Sequence, residues 1–159
     1  WFRHLKLVRQ LPVGLLSSLG FILLGLLALT SIGAWQIPSD WIANANLAAP
    51  GTTIHPVGIN AFFTAGGTWF GLVVGVILCL RSGGLPETSG LPKQQMIRYV
   101  VGLIVMLALY VGLDGIFPDT ADVIGLSFRF LRYTLIGLWV AWGAPVVFQK
   151  LGLMTPWTR

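Results

Sequence analysis

The chain has 159 residues, of which 55% are hydrophobic and only 9% are charged, whereas a soluble domain carries about 25% charged residues. This balance argues against a water-soluble enzyme, and the apolar content excludes a disordered chain. The formal net charge is +5, but the basic residues flank apolar stretches, so we interpret them as membrane anchors and expect no nucleic-acid partner. Cys79 is the single cysteine, and with only two histidines, His4 and His55, we expect neither a disulfide framework, a metal site nor a cofactor.

The chain begins at Trp1 rather than at Met, which favours a segment of a longer protein or of a larger complex. A signal peptide is the alternative, because Arg3, Lys6 and Arg9 precede an apolar run. That run, about residues 11–34, is long for a signal peptide and fits a membrane-spanning helix better.

Four apolar stretches reach the length of about 20 residues that a helix needs to cross a membrane. The predicted spans cover residues 11–34, 59–80, 97–117 and 124–148. Between the first two, Ser39 is a candidate N-cap for a short helix over about 39–48, and Trp35 and Trp41 favour its placement at the membrane interface. The sequence therefore predicts an all-α integral membrane protein with four transmembrane helices plus a short interfacial helix, in a single membrane domain over residues 1–159.

Basic residues are unevenly divided between the two sides that four spans create. The side with both termini and the loop after the second span carries eight of the ten basic residues, which are Arg3, Lys6, Arg9, Arg81, Lys93, Arg98, Lys150 and Arg159. The other side carries Arg129 and Arg132 together with four of the five acids. The positive-inside rule therefore predicts that both termini are cytoplasmic.

Three glycines repeat every four residues in the second span, at Gly67, Gly71 and Gly75. Four-residue spacing puts them on one face of a helix, where the absence of side chains lets another backbone approach closely. We favour packing against a helix of the same chain, and contact with a partner subunit is the alternative.

Charged residues near the outer ends of the third and fourth spans form the one candidate ligand site. Asp114 closes the third span, and Arg129 and Arg132 lie three residues apart on one face of the fourth. Ionisable groups at membrane depth are costly and usually paired, so an ion pair of Asp114 with either arginine is the first interpretation. A phosphate or lipid headgroup held by the two guanidinium groups is the second.

Two further features concern the fourth helix itself. Asp119 and Asp122 precede it and are candidate capping residues, because a carboxylate there accepts hydrogen bonds from free backbone N–H groups. Pro145 predicts a kink near the opposite end.

Several stretches resemble the membrane extension that follows the catalytic core in bacterial members of the type 2 phosphatidic acid phosphatase superfamily. They are FRFLRYTLIGLWV at 128–140, Gly143-Ala144-Pro145, Leu151-Gly152-Leu153, FFTAGG at 62–67, IRYVVGL at 97–103, ALYVGL at 108–113, and WQIP at 35–38 leading to WIAN at 41–44. The catalytic motifs of that superfamily are a Lys with a later Arg-Pro, a Pro-Ser-Gly-His, and a Ser-Arg followed by His and Asp. None of the three occurs in this sequence.

The resemblance implies a bacterial inner-membrane protein whose parent acts on lipid or isoprenoid phosphates through a phospho-histidine, while these residues form a non-catalytic transmembrane region. No catalytic residue of the family can be carried over to this chain, and its expected partners are membrane lipids. An accessory structural subunit of a respiratory or photosynthetic membrane complex, in contact with other subunits, is the alternative. A small transporter or lipid-binding module that uses Arg129 and Arg132 is a third option.

Overall fold

The computed structural model describes residues 6–33, 35–51, 57–85, 87–118, 120 and 122–155. Within these ranges the chain is helical and contains no strand. The helices are α1 (Leu7–Ile32), α2 (Ser39–Ala48), α3 (Asn60–Ser82), α4 (Pro92–Ile116), α5 (Val123–Leu138) and α6 (Ala144–Lys150), with a π-helical segment, Trp139–Gly143, between the last two.

Four helical stretches are long and apolar enough to cross a membrane. They are Arg9–Ile32, Asn60–Ser82, Pro92–Ile116 and the continuous α5–α6 stretch Val123–Lys150. α2 has ten residues, too few to cross, and none of them is buried. The predicted fold class, an all-α membrane protein with four spanning helices and one shorter helix, is confirmed.

α4 begins at Pro92, five residues before the predicted span. Pro92 suits the first turn of a helix because its missing N–H would have no partner there. Gln94 closes the same turn by accepting a hydrogen bond from the Leu91 N–H at 3.2 Å. Hydropathy misses this turn, since the residues that build it are polar.

α2 covers the predicted residues, Ser39–Ala48, but its N-cap is not the predicted one. Ser39 is its first helical residue, Pro38 occupies the cap position, and no side chain caps the helix. The Ser39 hydroxyl lies 3.3 Å from Oδ1 of Asp40 instead. The N-cap prediction for Ser39 is therefore wrong, because Pro38 already sets the extended backbone that precedes the first turn.

Asp122 caps α5. Its Oδ1 accepts the Gly125 N–H at 2.9 Å, and the Thr120 hydroxyl donates to the same oxygen. The Thr120 hydroxyl, and after it the Gly125 N–H, lower the pKa of Asp122 below its ordinary value. The other predicted capping residue, Asp119, lies outside the described residues.

α3 is the central helix. It packs along α5 on one side and along α1 on the other, while α4 touches mainly α5 and the π-helical segment. Against α1, the Ser18 hydroxyl donates to the Gly66 carbonyl at 2.6 Å and the Trp69 indole N–H donates to Ser17 Oγ at 2.9 Å. These two hydrogen bonds fix the position of α1 along the axis of α3.

The π-helical segment lies where the sequence predicts a kink at Pro145. Pro145 has no N–H, so the carbonyl of Ala141, four residues earlier, loses its α-helical donor. Sγ of Cys79, a fully buried residue on α3, lies 3.1 Å from that carbonyl oxygen and donates to it. Cys79 thus satisfies part of the backbone that the proline frees.

Candidate functional site

The glycines Gly67, Gly71 and Gly75 are buried on the side of α3 that faces α5 and the π-helical segment. A Cβ on Gly67 or Gly71 would collide with the backbone of α5, and one on Gly75 would lie 2.5 Å from the Cβ of Ala141. The same close approach occurs at Gly137 of α5, where a Cβ would lie 2.5 Å from the Thr68 carbonyl oxygen of α3. The surface of α3 formed by Gly67, Gly71 and Gly75, here called the glycine ridge, is thus in contact with helices of the same chain.

One backbone carbonyl of the glycine ridge, that of Gly67, also accepts a hydrogen bond from α5. The Thr134 hydroxyl lies 2.9 Å from the Phe130 carbonyl oxygen and 3.2 Å from the carbonyl oxygen of Gly67. Phe70 and Phe130 stack with their centroids 6.1 Å apart. Close backbone approach, a shared hydroxyl and stacked rings together make α3 and α5 the rigid centre of the molecule.

Asp114 and Arg132 form an ion pair between α4 and α5. Nη1 of Arg132 donates to Oδ1 of Asp114, and the arginine side chain is 6% exposed while that of the aspartate is 56% exposed. The guanidinium carbon lies 5.3 Å from the ring centroid of Tyr133 and 5.8 Å from that of Tyr110. The carboxylate and the two rings offset part of the cost of burying this cation, while Nε of Arg132 is buried without a hydrogen-bond partner.

This pair bears on the phosphate interpretation of Asp114, Arg129 and Arg132. Arg132 is engaged by Asp114, so a phosphate would have to displace a carboxylate to reach it. Arg129 lies one helical turn earlier, is half-buried, and has an interaction of its own within the chain. The arrangement provides an ion pair that links α4 to α5.

Arg98 is a buried charge for which the sequence predicts only the role of a topological anchor. It is 7% exposed, and its guanidinium donates to the carbonyls of Thr88 at 3.1 Å and Ser89 at 3.0 Å. It lies at the edge of a cavity of about 400 Å³ between α4 and the α5–α6 stretch. Its burial depends on the loop before α4 folding back over it, and no local pattern in the sequence encodes that contact.

The described residues contain no cluster of three or more His, Cys, Asp or Glu side chains that could hold a metal ion. His4, His55 and Asp119 lie outside the described residues. The charged groups that the structure brings into contact with other helices or loops include the Asp114–Arg132 pair, Arg98 and Asp122.

A scan against protein families matches residues 63–156 to the PAP2 superfamily phosphatase, transmembrane extension. The match takes in most of α3 and all of α4, α5 and α6, which include the glycine ridge, the ion pair and Arg98. No curated protein and no solved structure matches the chain. Because the matched region is more than half of the chain, the chain belongs to the family of PAP2 superfamily phosphatase transmembrane extensions.

Proposed function

We propose that this chain is a non-catalytic transmembrane region of a phosphatase-like protein that acts on lipid phosphates. The observation that carries the proposal is the family match over residues 63–156 in a sequence without any of the three catalytic motifs of the superfamily. The role assigned to the helices is mechanical, because the described charged side chains in the helices, such as those of Asp114, Arg132 and Arg98, are engaged in contacts within the chain.

The packing of the described helices supports that role. At the glycine ridge the backbones of α3 and α5 are in direct contact, because no side chain lies between them. The Asp114–Arg132 ion pair connects α4 to α5. Such a bundle resists shear between its helices, since sliding one turn would drive side chains into the ridge. A rigid bundle of this kind can hold a neighbouring catalytic domain at a fixed depth and tilt in the bilayer.

The alternative, an accessory subunit of a larger respiratory or photosynthetic complex, draws mainly on the repeated glycines of α3. In this structure α5 and the π-helical segment of the same chain cover Gly67, Gly71 and Gly75. These glycines therefore offer no free surface to another subunit. We favour the phosphatase-related role for this reason.

Phosphate release from a lipid phosphate in mixed micelles tests the absence of catalysis. The purified chain should release no more phosphate than empty micelles, and a known membrane phosphatase in the same assay is the positive control. Turnover that survives repeated purification and scales with the amount of the chain contradicts the proposal.

The reading frame upstream of the Trp1 codon tests the parentage separately. We expect it to encode, in frame, a Pro-Ser-Gly-His and a later Ser-Arg followed by His. An upstream frame without these motifs, combined with stable co-purification of other membrane subunits, would support the accessory role instead.

A further inference from the structure

Arg98 carries a buried positive charge that no carboxylate neutralises among the described residues. Its hydrogen bonds all go to neutral carbonyls, those of Thr88 and Ser89 and, at 3.4 Å, that of Gln94. The acid nearest to it in sequence, Glu87, is exposed and accepts a hydrogen bond from the Ser89 hydroxyl. A buried cation without a counter-charge is costly, and this cost is lifted when an anion binds beside it.

The cavity beside Arg98 has the shape and lining of a site for a hydrocarbon chain. It is a groove of about 400 Å³ between α4 and the α5–α6 stretch, and beyond Arg98 its walls include Leu103, Met106, Val140 and Phe148. From Arg98 to Met106 the helix rises about 12 Å, close to the thickness of about 15 Å that one leaflet contributes to the hydrocarbon core. The groove thus runs from the charged end of the span toward the middle of the bilayer.

The positive charge at this end of the molecule favours the binding of an anion. The segment before α4, the start of α4 and the end of α6 carry three basic side chains and one acid, which are Lys93, Arg98, Lys150 and Glu87. Lys93 and Lys150 are exposed, so they can draw a negatively charged group toward the mouth of the groove. Tyr99, which also lines the groove and is 69% exposed, is typical of a membrane–water boundary.

We propose that the groove between α4 and α5–α6 binds an anionic phospholipid of the surrounding membrane. Its phosphate neutralises Arg98, and one acyl chain lies along Leu103, Met106 and Val140. The lipid is bound and not hydrolysed, and its site needs no catalytic domain, so the proposal stands apart from the proposed function. It also lies at the end of the bundle opposite to the Asp114–Arg132 pair.

Native mass spectrometry of the detergent-purified chain, titrated with phosphatidylglycerol or with phosphatidylcholine, tests the charge requirement. The wild type should retain phosphatidylglycerol at least about tenfold more strongly, because charge-assisted hydrogen bonds to phosphate are the stronger kind. Arg98→Gln should abolish that preference. The matched control Arg81→Gln removes an exposed arginine on the same side and should keep it.

A second pair of variants tests the groove and does not depend on the stability of Arg98→Gln. Val140→Trp fills the groove from a residue that is 49% exposed, and Ile104→Trp places the same side chain on α4 outside it, at a residue that is 59% exposed. Val140→Trp should weaken binding of both lipids about tenfold, and Ile104→Trp should leave it unchanged. Circular dichroism checks that both variants are folded.

Four results would overturn the proposal. They are equal binding of the two lipids by the wild type, an equal loss in Arg81→Gln and Arg98→Gln, unchanged binding in Val140→Trp, and binding of glycerol phosphate as tight as that of phosphatidylglycerol. The last would assign the site to a free phosphate compound and leave the apolar groove without a role.

Discussion

Arg132 is buried between two tyrosine rings, and Asp114 compensates its charge from a half-exposed position. The sequence predicts that Asp114 pairs with an arginine, because ionisable groups at membrane depth need partners. It does not predict which arginine, since Arg129 and Arg132 lie on the same face. The choice depends on how α4 and α5 are rotated against each other, which only tertiary packing sets.

For this ion pair we expect a double variant that lacks both charges to be more stable than a single variant that lacks only the carboxylate. Asp114→Asn leaves the buried guanidinium without its carboxylate and should lower the free energy of unfolding by about 2 kcal/mol, less than for a fully buried pair because Asp114 is half-exposed. Asp114→Asn with Arg132→Met removes both charges and should regain most of that loss. Unfolding in mixed detergent micelles, followed by circular dichroism, measures both.

Asp40→Asn, on exposed α2, is the control for loss of a carboxylate alone and should change stability little. If the double variant is no more stable than Asp114→Asn alone, removing the arginine charge relieves nothing, and the ion pair is not a link between α4 and α5.

At the scale of the helices, the contact between α3 and α5 depends on the absence of side chains. Gly71 lies so close to the α5 backbone that even a methyl group would force the helices apart. Gly71→Ala should therefore destabilise the fold by about 2 kcal/mol, as overpacking of a tight interface does. Thermal unfolding in detergent is the measurement.

Gly112→Ala is the matched control, because Gly112 also lies in a spanning helix but has open space where its Cβ would be. We expect it to be neutral or to stabilise α4 by up to about 1 kcal/mol, the helix-propensity gain of alanine. Equal losses in the two variants would mean that the glycine ridge is not a close contact.

The helices themselves follow from local sequence, whereas their partners do not. Hydropathy locates all four spans, and the spacing of Gly67, Gly71 and Gly75 shows which face of α3 is bare. Nothing local says that α5 covers that face, or that the loop before α4 folds over Arg98. Such contacts join residues that are distant in the chain, so their energies have no signature in a window of neighbouring residues.

At the scale of the whole molecule, four spans place α2 and the α3–α4 loop on opposite sides of the membrane. The charge distribution predicts an orientation in which the α3–α4 loop lies in the cytoplasm. Leu47→Cys, 82% exposed on α2, and Leu85→Cys, 66% exposed in the loop, report the two sides. Cys79 is fully buried and serves as the internal control for background labelling.

A membrane-impermeant maleimide added to intact bacterial cells should label Leu47→Cys at once, and Leu85→Cys only after lysis. The reverse pattern would show that both termini lie outside the cytoplasm and that the positive-inside argument fails here. Labelling of both positions in intact cells would contradict a four-span topology.

The central position of α3 sets the order in which the bundle can be completed as the chain leaves the ribosome. α1 precedes α3 and can meet it as soon as both are in the lipid, but α5 follows only after all of α4 has been inserted. A nascent chain that ends within α4 holds every glycine of the ridge and none of the surface that covers it. Assembly of this bundle is therefore finished by its last membrane crossing.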